Sequence, residues 1–193
     1  MVTRGDYVQA MAGSAERTDA QVVRDVLAGD RDAYRLLVRR YGGVLYNHAL
    51  RMTGGEDDAA DLVQTALVRG YSKLSSCRDP SAVGAWLFRI LSNLAKDFLR
   101  SPRRRDISLD RVPGFEERGE SPVDHVHRGE IRSRLEIALG NLTPEQREAF
   151  VLKHVEGRTY EEMAAVLDVP KASLKMRVHR ARETLEGLLE DFR

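Results

Sequence analysis

Apolar residues recur at helical spacing over two stretches of this chain, and between them the period is lost. From Asp19, the positions Val22, Val23, Val26 and Leu27 lead on to Ala33, Tyr34, Leu37 and Val38. Steps of three and four place such residues on one face of a helix. Gly29-Asp30 interrupts the pattern and predicts two helices with a short break. The pattern continues through Val44 to Met52 and ends at Thr53-Gly54-Gly55. Glu56 to Leu74 predicts a further helix, whose acidic start suits the positive end of its macrodipole. After a loop over Ser75 to Ser81, Val83 to Leu99 reads as a long helix. Trp86, Leu87, Ile90, Leu91, Leu94 and Phe98 point inward on it. Residues 19–100 therefore predict an all-helical unit, preceded by a small, polar, disordered segment over 1–18.

Ser101 to Arg128 follows no period and holds Pro102, Pro113 and Pro122, which predicts a flexible or extended linker over 101–129. Period returns with Ile131, Leu135, Leu139 and Leu142. Thr143-Pro144-Glu145-Gln146 then supplies an N-cap, a proline at the first helical position and a capping-box glutamine. That helix runs to about Val155 and Gly157 ends it. Thr159-Tyr160-Glu161-Glu162 opens a short helix with another capping box, closed before Asp168-Val169-Pro170. In the last helix Leu174, Val178, Ala181, Leu185 and Leu188 form one apolar stripe. Ala172, Ser173, Met176, His179 and Arg180 point the other way, with Lys171, Lys175 and Arg182 on one flank and Arg177 on the other. Lys171 to Arg182 holds five positive charges and no acid. A short capped helix, a tight turn and a basic second helix describe a helix-turn-helix, whose second helix enters a DNA major groove. The predicted fold is all-α, with two small helical domains, 19–100 and 130–193, joined by the linker.

Composition narrows the function. The chain has 193 residues, of which 42% are hydrophobic and only 6% aromatic, as small helical cores require. The net charge of +1 conceals segregation. Trp86 to Arg105 carries six bases against one acid, and Asp106 to Glu130 seven acids against three bases. Two local patches suit a protein that meets DNA at defined places rather than coating it. Cys77 is the sole cysteine, so no internal disulfide can form. His125, His127 and His154 are scattered and predict no metal site. No cofactor motif, phosphate-binding loop, nucleophile–base pair or catalytic carboxylate pair is present, so an enzyme is not expected. No apolar run spans a membrane or serves as a signal peptide, which predicts a soluble, cytoplasmic protein without membrane insertion.

In the Glu56 to Leu74 helix, Leu62, Val63, Ala66 and Leu67 turn inward while Asp58, Asp61 and Gln64 stay roughly in line on the other side. Taken alone, that row reads as a solvated acidic face. Trp86 could stack on a base, but its apolar neighbours favour core packing.

Four passages together give the chain a resemblance. They are G-D-R-D-A-Y-R-L-L-V-R-R-Y from Gly29, D-D-A-A-D-L-V-Q-T-A-L-V-R-G-Y from Asp57, A-W-L-F-R-I-L-S-N-L-A-K-D-F-L-R from Ala85, and a distributed fourth. The fourth runs from L-T-P-E-Q-R-E-A-F-V-L-K at Leu142 through T-Y-E-E-M-A-A-V-L-D-V-P to R-V-H-R-A-R at Arg177. In this order and spacing, they resemble the sigma factors of bacterial RNA polymerase, specifically the short extracytoplasmic-function (ECF) group of the sigma-70 family. The resemblance implies sigma domain 2 over 19–100 and sigma domain 4 over 130–193. It implies that Asp58, Asp61 and Gln64 bind the core polymerase. It places Asn93 near a flipped base of the −10 element, where an amide can pair with a base edge. Lys96, Arg100, Arg103, Arg104 and Arg105 would hold −10 phosphates. Lys171, Ser173, Lys175, Met176, His179 and Arg180 would meet the −35 element. Core RNA polymerase, promoter DNA and an anti-sigma factor are the implied partners, and promoter opening the implied outcome. The family usually has Gly-Thr where this chain has Ala172-Ser173, a small polar residue in place of Met176, and often aromatics where Cys77 and Val83 stand.

Overall fold

A computed structural model describes residues 17–101 and 138–190, with side chains to 187. Every regular element among the described residues is helical. The first helix, α1 (Asp19–Leu27), starts on a capping box between Thr18 and Gln21 and turns Val22, Val23 and Val26 inward. Gly29, at φ 112°, makes the predicted break, a conformation that a side chain would oppose. Asp30 then caps a 3-10 turn, Arg31–Ala33. Helix α2 (Tyr34–Thr53) runs through Gly42-Gly43 without interruption and stops at left-handed Gly54. Helix α3 (Glu56–Ser72) follows, and 3-10 turns at Leu74–Ser76 and Pro80–Ala82 occupy the predicted loop. Helix α4 (Val83–Arg100) completes the first unit.

These helices approach closely at Gly70. A methyl group there would strike the Leu87 side chain and lie 2.9 Å from the Tyr34 hydroxyl. That hydroxyl donates to the Leu67 carbonyl at 2.8 Å, and burial pushes its pKa up to about 12.

The predicted linker beyond Ser101, the residues before Arg17 and the start of the first domain-4 helix lie outside the described residues. Helix α5 (Pro144–Phe150) begins on the predicted Thr143–Gln146 capping box. It does not reach Val155 as regular α-helix. Val151–Val155 widens into a π-helical turn, in which the Glu156 N–H donates to the Val151 carbonyl at 2.9 Å. Gly157, at φ 70°, ends it. Helix α6 (Tyr160–Leu167) has the predicted Thr159–Glu162 capping box, and left-handed Asp168 closes it. Helix α7 (Lys171–Glu190) is the second helix of the helix-turn-helix.

The two units pack against each other. Phe88, Leu91 and Leu94 of α4 share one apolar core with Ala149, Leu152, Met163, Leu167 and Leu174 from the second unit. Met52 and Ala95 meet Val151 in a smaller cluster beside it. Trp86 is half-buried against the main core, as its spacing predicts. Phe88, absent from the predicted inward set, is 1% exposed because the second unit covers it.

Candidate functional site

Three helix faces carry the candidate residues. On α7, Leu174, Val178, Ala181 and Leu185 are buried as the stripe predicts. Lys171, Ala172, Ser173, Lys175, Met176, His179 and Arg180 are all exposed on the other side. Several of them are braced locally. Lys171 Nζ lies 2.7 Å from Glu161 Oε1 on α6, and that hydrogen bond lowers the Glu161 carboxyl below its ordinary range. The Lys175 ammonium lies 5.8 Å from the centre of the Tyr160 ring, and His179 Nε2 sits 3.5 Å from Glu183. The result is a convex, cationic face with one thioether, 49% exposed, at its middle.

On α3, Ala59, Val63 and Ala66 are buried, while Asp61 and Gln64 are exposed. Asp58 departs from that row. It is half-buried, with its carboxylate beside Gly55 at the helix start, where it complements the macrodipole. Val68, 62% exposed, stands on the same side seven residues after Asp61. Sequence reasoning passed over Val68, although an apolar residue on an otherwise polar row was the available signal. Such a residue gives a docking face an apolar centre.

On α4, Asn93 is exposed, whereas Lys96 is half-buried. Lys96 Nζ reaches Glu148 Oε2 at 3.3 Å. Glu148, on α5, is fully buried and also accepts from the Ser92 hydroxyl. Arg100 pairs with Glu145 on α5 and with Asp97 on its own helix. Arg89 pairs with Asp168 at 3.0 Å. Arg103, Arg104 and Arg105 lie outside the described residues. Cys77 and Val83 are buried, and the Cys77 thiol donates to the Asp79 carbonyl at 3.3 Å. Burial pushes the Cys77 pKa up. Both residues belong to the apolar core.

A second charged cluster, unforeseen in the sequence, joins the two units. His48 Nδ1 lies 2.7 Å from Glu156 Oε1, with Arg51 Nη1 at 3.6 Å from the same oxygen. Arg158 Nε meets Glu156 Oε2 at 3.1 Å, and its guanidinium lies 5.0 Å from the centre of the Phe88 ring. Burial opposes charge on Glu156. The His48 hydrogen bond and the charges of His48, Arg158 and Arg51 outweigh it and bring the carboxyl from its ordinary 4.5 down to about 2. Among the described residues there is no group of three or more His, Cys, Asp or Glu placed to hold a metal, and no helix is long and apolar enough to cross a membrane.

The family model for Sigma-70 region 2 matches residues 37–105, and that for Sigma-70 region 4 matches residues 132–185. The chain is 32% identical over 186 residues to the ECF RNA polymerase sigma-E factor of Escherichia coli K12, covering 92% of this chain and 97% of that protein. This protein belongs to the ECF sigma factors of the sigma-70 family. The RNA polymerase sigma-H factor of Pseudomonas aeruginosa is 31% identical over 184 residues, covering 91% of this ECF chain and 95% of that one. Among solved structures, CnrH in complex with the cytosolic domain of CnrY aligns with a TM-score of 0.59 at 29% identity, covering 90% of this chain and 97% of that one. The sigma factor RpoE of Bartonella quintana, in complex with the anti-sigma factor NepR, aligns with a TM-score of 0.54 at 27% identity, covering 83% and 98%. As an ECF sigma factor the chain is a transcription-initiation protein. The region 2 match takes in most of α2 with α3 and α4, and the region 4 match takes in α5, α6 and most of α7, which carry the helix-turn-helix.

Proposed function

We propose that this ECF sigma factor binds core RNA polymerase, reads a −35 and a −10 promoter element, and promotes DNA opening in the cytoplasm without catalysing a reaction of its own. In this reading Asp61, Gln64 and, from the helix start, Asp58 engage the polymerase. Asn93 reads a −10 base, while Lys96, Arg100 and Arg103–Arg105 hold phosphates. Lys171, Ser173, Lys175, Met176, His179 and Arg180 meet the −35 duplex. An anti-sigma factor is the expected restraining partner, by analogy with the CnrH and RpoE complexes. The protein supplies no fuel, so opening draws on binding energy. Unstacking costs a few kcal/mol per base, offset by base capture and polymerase contacts.

One observation carries this reading. The α7 face opposite the buried Leu174, Val178, Ala181 and Leu185 is exposed and cationic, the arrangement with which a recognition helix meets a major groove. Met176 adds a non-polar contact suited to a thymine methyl. Selection of randomised −35 sequences by the polymerase holoenzyme tests it. Met176→Ser should shift preference at one A·T position and leave the other positions alone. An unchanged sequence preference for Met176→Ser, together with unchanged affinity for Arg180→Ala, would remove this face from DNA reading.

A further inference from the structure

The outer face of α7 holds one group whose chemistry can be rewritten without changing the sequence. The chain has five methionines, Met1, Met11, Met52, Met163 and Met176. Met1 and Met11 lie outside the described residues. Met52 and Met163 are fully buried in apolar clusters, whereas Met176 is 49% exposed. Ala172, Ser173, His179 and Arg180, its neighbours on that face, are exposed as well, so the thioether stands on an open convex surface. The Cys77 thiol is buried, and burial raises its pKa, which disfavours the reactive thiolate. Among the described residues, Met176 is therefore the one sulfur open to a dissolved oxidant.

We propose that Met176 is a reversible oxidation site: hydrogen peroxide converts its thioether to the sulfoxide, and the polar product changes which −35 sequences the chain reads. The inference rests on the DNA reading of α7 given above. The sulfur lone pair attacks one peroxide oxygen, an S–O bond forms and the O–O bond breaks. Sulfur loses two electrons, and the departing oxygen takes the proton of the transferred one and leaves as water. A thioether offers a thymine methyl an apolar contact. A sulfoxide oxygen instead accepts hydrogen bonds, which suits the amino group of adenine or cytosine. Lys171, Lys175 and Arg180 keep their charges, so phosphate contacts persist and the change falls on sequence preference. Methionine sulfoxide reductases return the thioether, so the change can be reset.

The full-length chain is treated with hydrogen peroxide, freed of it with catalase, and then combined with untreated core polymerase. Peptide mass spectrometry follows each methionine, circular dichroism checks the fold, and selection from randomised −35 duplexes reads preference. Met176 should reach the sulfoxide well before Met52 and Met163. Preference at one A·T position should then fall about fourfold, the worth of one lost methyl contact. Met176→Gln should copy that fall without oxidant. Met176→Leu, which retains Met1, Met11 and Cys77, should read the same sequences before and after peroxide. Sulfoxide reductases should restore the parent preference. Oxidation of Met176 no faster than that of Met52 and Met163 would overturn the site. The same shift in peroxide-treated Met176→Leu would assign the effect to another residue and overturn it equally. Complete oxidation of Met176 with unaltered preference, while Met176→Ser still shifts it, would overturn the switch and leave the DNA reading standing. If oxidation, Met176→Ser and Arg180→Ala all leave binding unaltered, the DNA reading fails and the proposal with it.

Discussion

The outer face of α7 and the region 4-facing side of α4 are both basic surfaces, yet the structure treats them differently. The α7 face lies open, its charges braced only by neighbours on α6 and α7. On α4, Lys96 and Arg100 are met by acids from the other unit. Charge alone therefore does not make a surface available. What matters is whether the opposing face of the same molecule carries a matching anion, and here α5 does.

The sharpest way to break the contrast is to remove the scaffold of the open face. Leu174 is fully buried, so Leu174→Ala should cost about 2–5 kcal/mol of stability through lost burial and a residual cavity. Because Leu174 belongs to the core shared by both units, thermal melting should show α4 losing protection together with α7. A change confined to α7 would mean that the units are energetically separate.

Acid should break the closed side next. The Glu156 carboxyl is held down from 4.5 to about 2, so its stabilisation is complete above pH 4.5 and is lost as pH falls towards 2. The drop corresponds to about 3 kcal/mol across that window. Scattering and circular dichroism against pH should record expansion there, and Glu156→Gln should flatten the response. A response of equal size in that variant would assign the effect to other carboxylates.

Smaller effects sharpen the contrast further. Arg180→Ala, on the open face, should cost about 1–3 kcal/mol of discrimination at one G·C pair while the melting temperature stays put, as duplex binding and calorimetry would measure. Smallest in stability is the pair Asp61→Ala with Gln64→Ala. Exposed substitutions of this kind change folding by at most about 0.5 kcal/mol. Affinity for core polymerase should nevertheless fall in a direct binding assay. Unaltered affinity would take α3 out of the polymerase interface.

The sequence made some of this legible because some signals are local. Capping boxes at Thr143 and Thr159 act over four residues, and the α7 stripe repeats within one helix. The break at Gly29 and the stop at Gly54 also follow from single residues. The meeting of the units is different. Phe88, Ser92 and Ala95 form a second inward side on α4, beyond the one that packs region 2. That extra width is a readable mark of a further contact, but nothing in α4 says which segment covers it. Glu148 and Glu156 were equally opaque. Buried carboxylates need partners far along the chain, here His48, Arg51, Ser92 and Lys96, and no periodicity pairs residues at that separation. Asp58 is half-buried beside Gly55 for a smaller reason: helical spacing gives direction from the axis, while the pull of a helix start can turn a short acid back along it.

The π turn at Val151–Val155 makes chain length itself a structural variable. It accommodates one residue more than a regular turn of α-helix would. Deleting one residue there would restore the ordinary winding and leave everything downstream in its present direction, because the wide turn already absorbs the extra residue. Rewinding the same five residues as regular α-helix would instead turn the chain downstream by about 100° relative to α5. Glu156 and Arg158 would then swing away from His48 and Phe88, although every side chain was still present. The width of one turn thus sets the direction in which the second unit leaves α5.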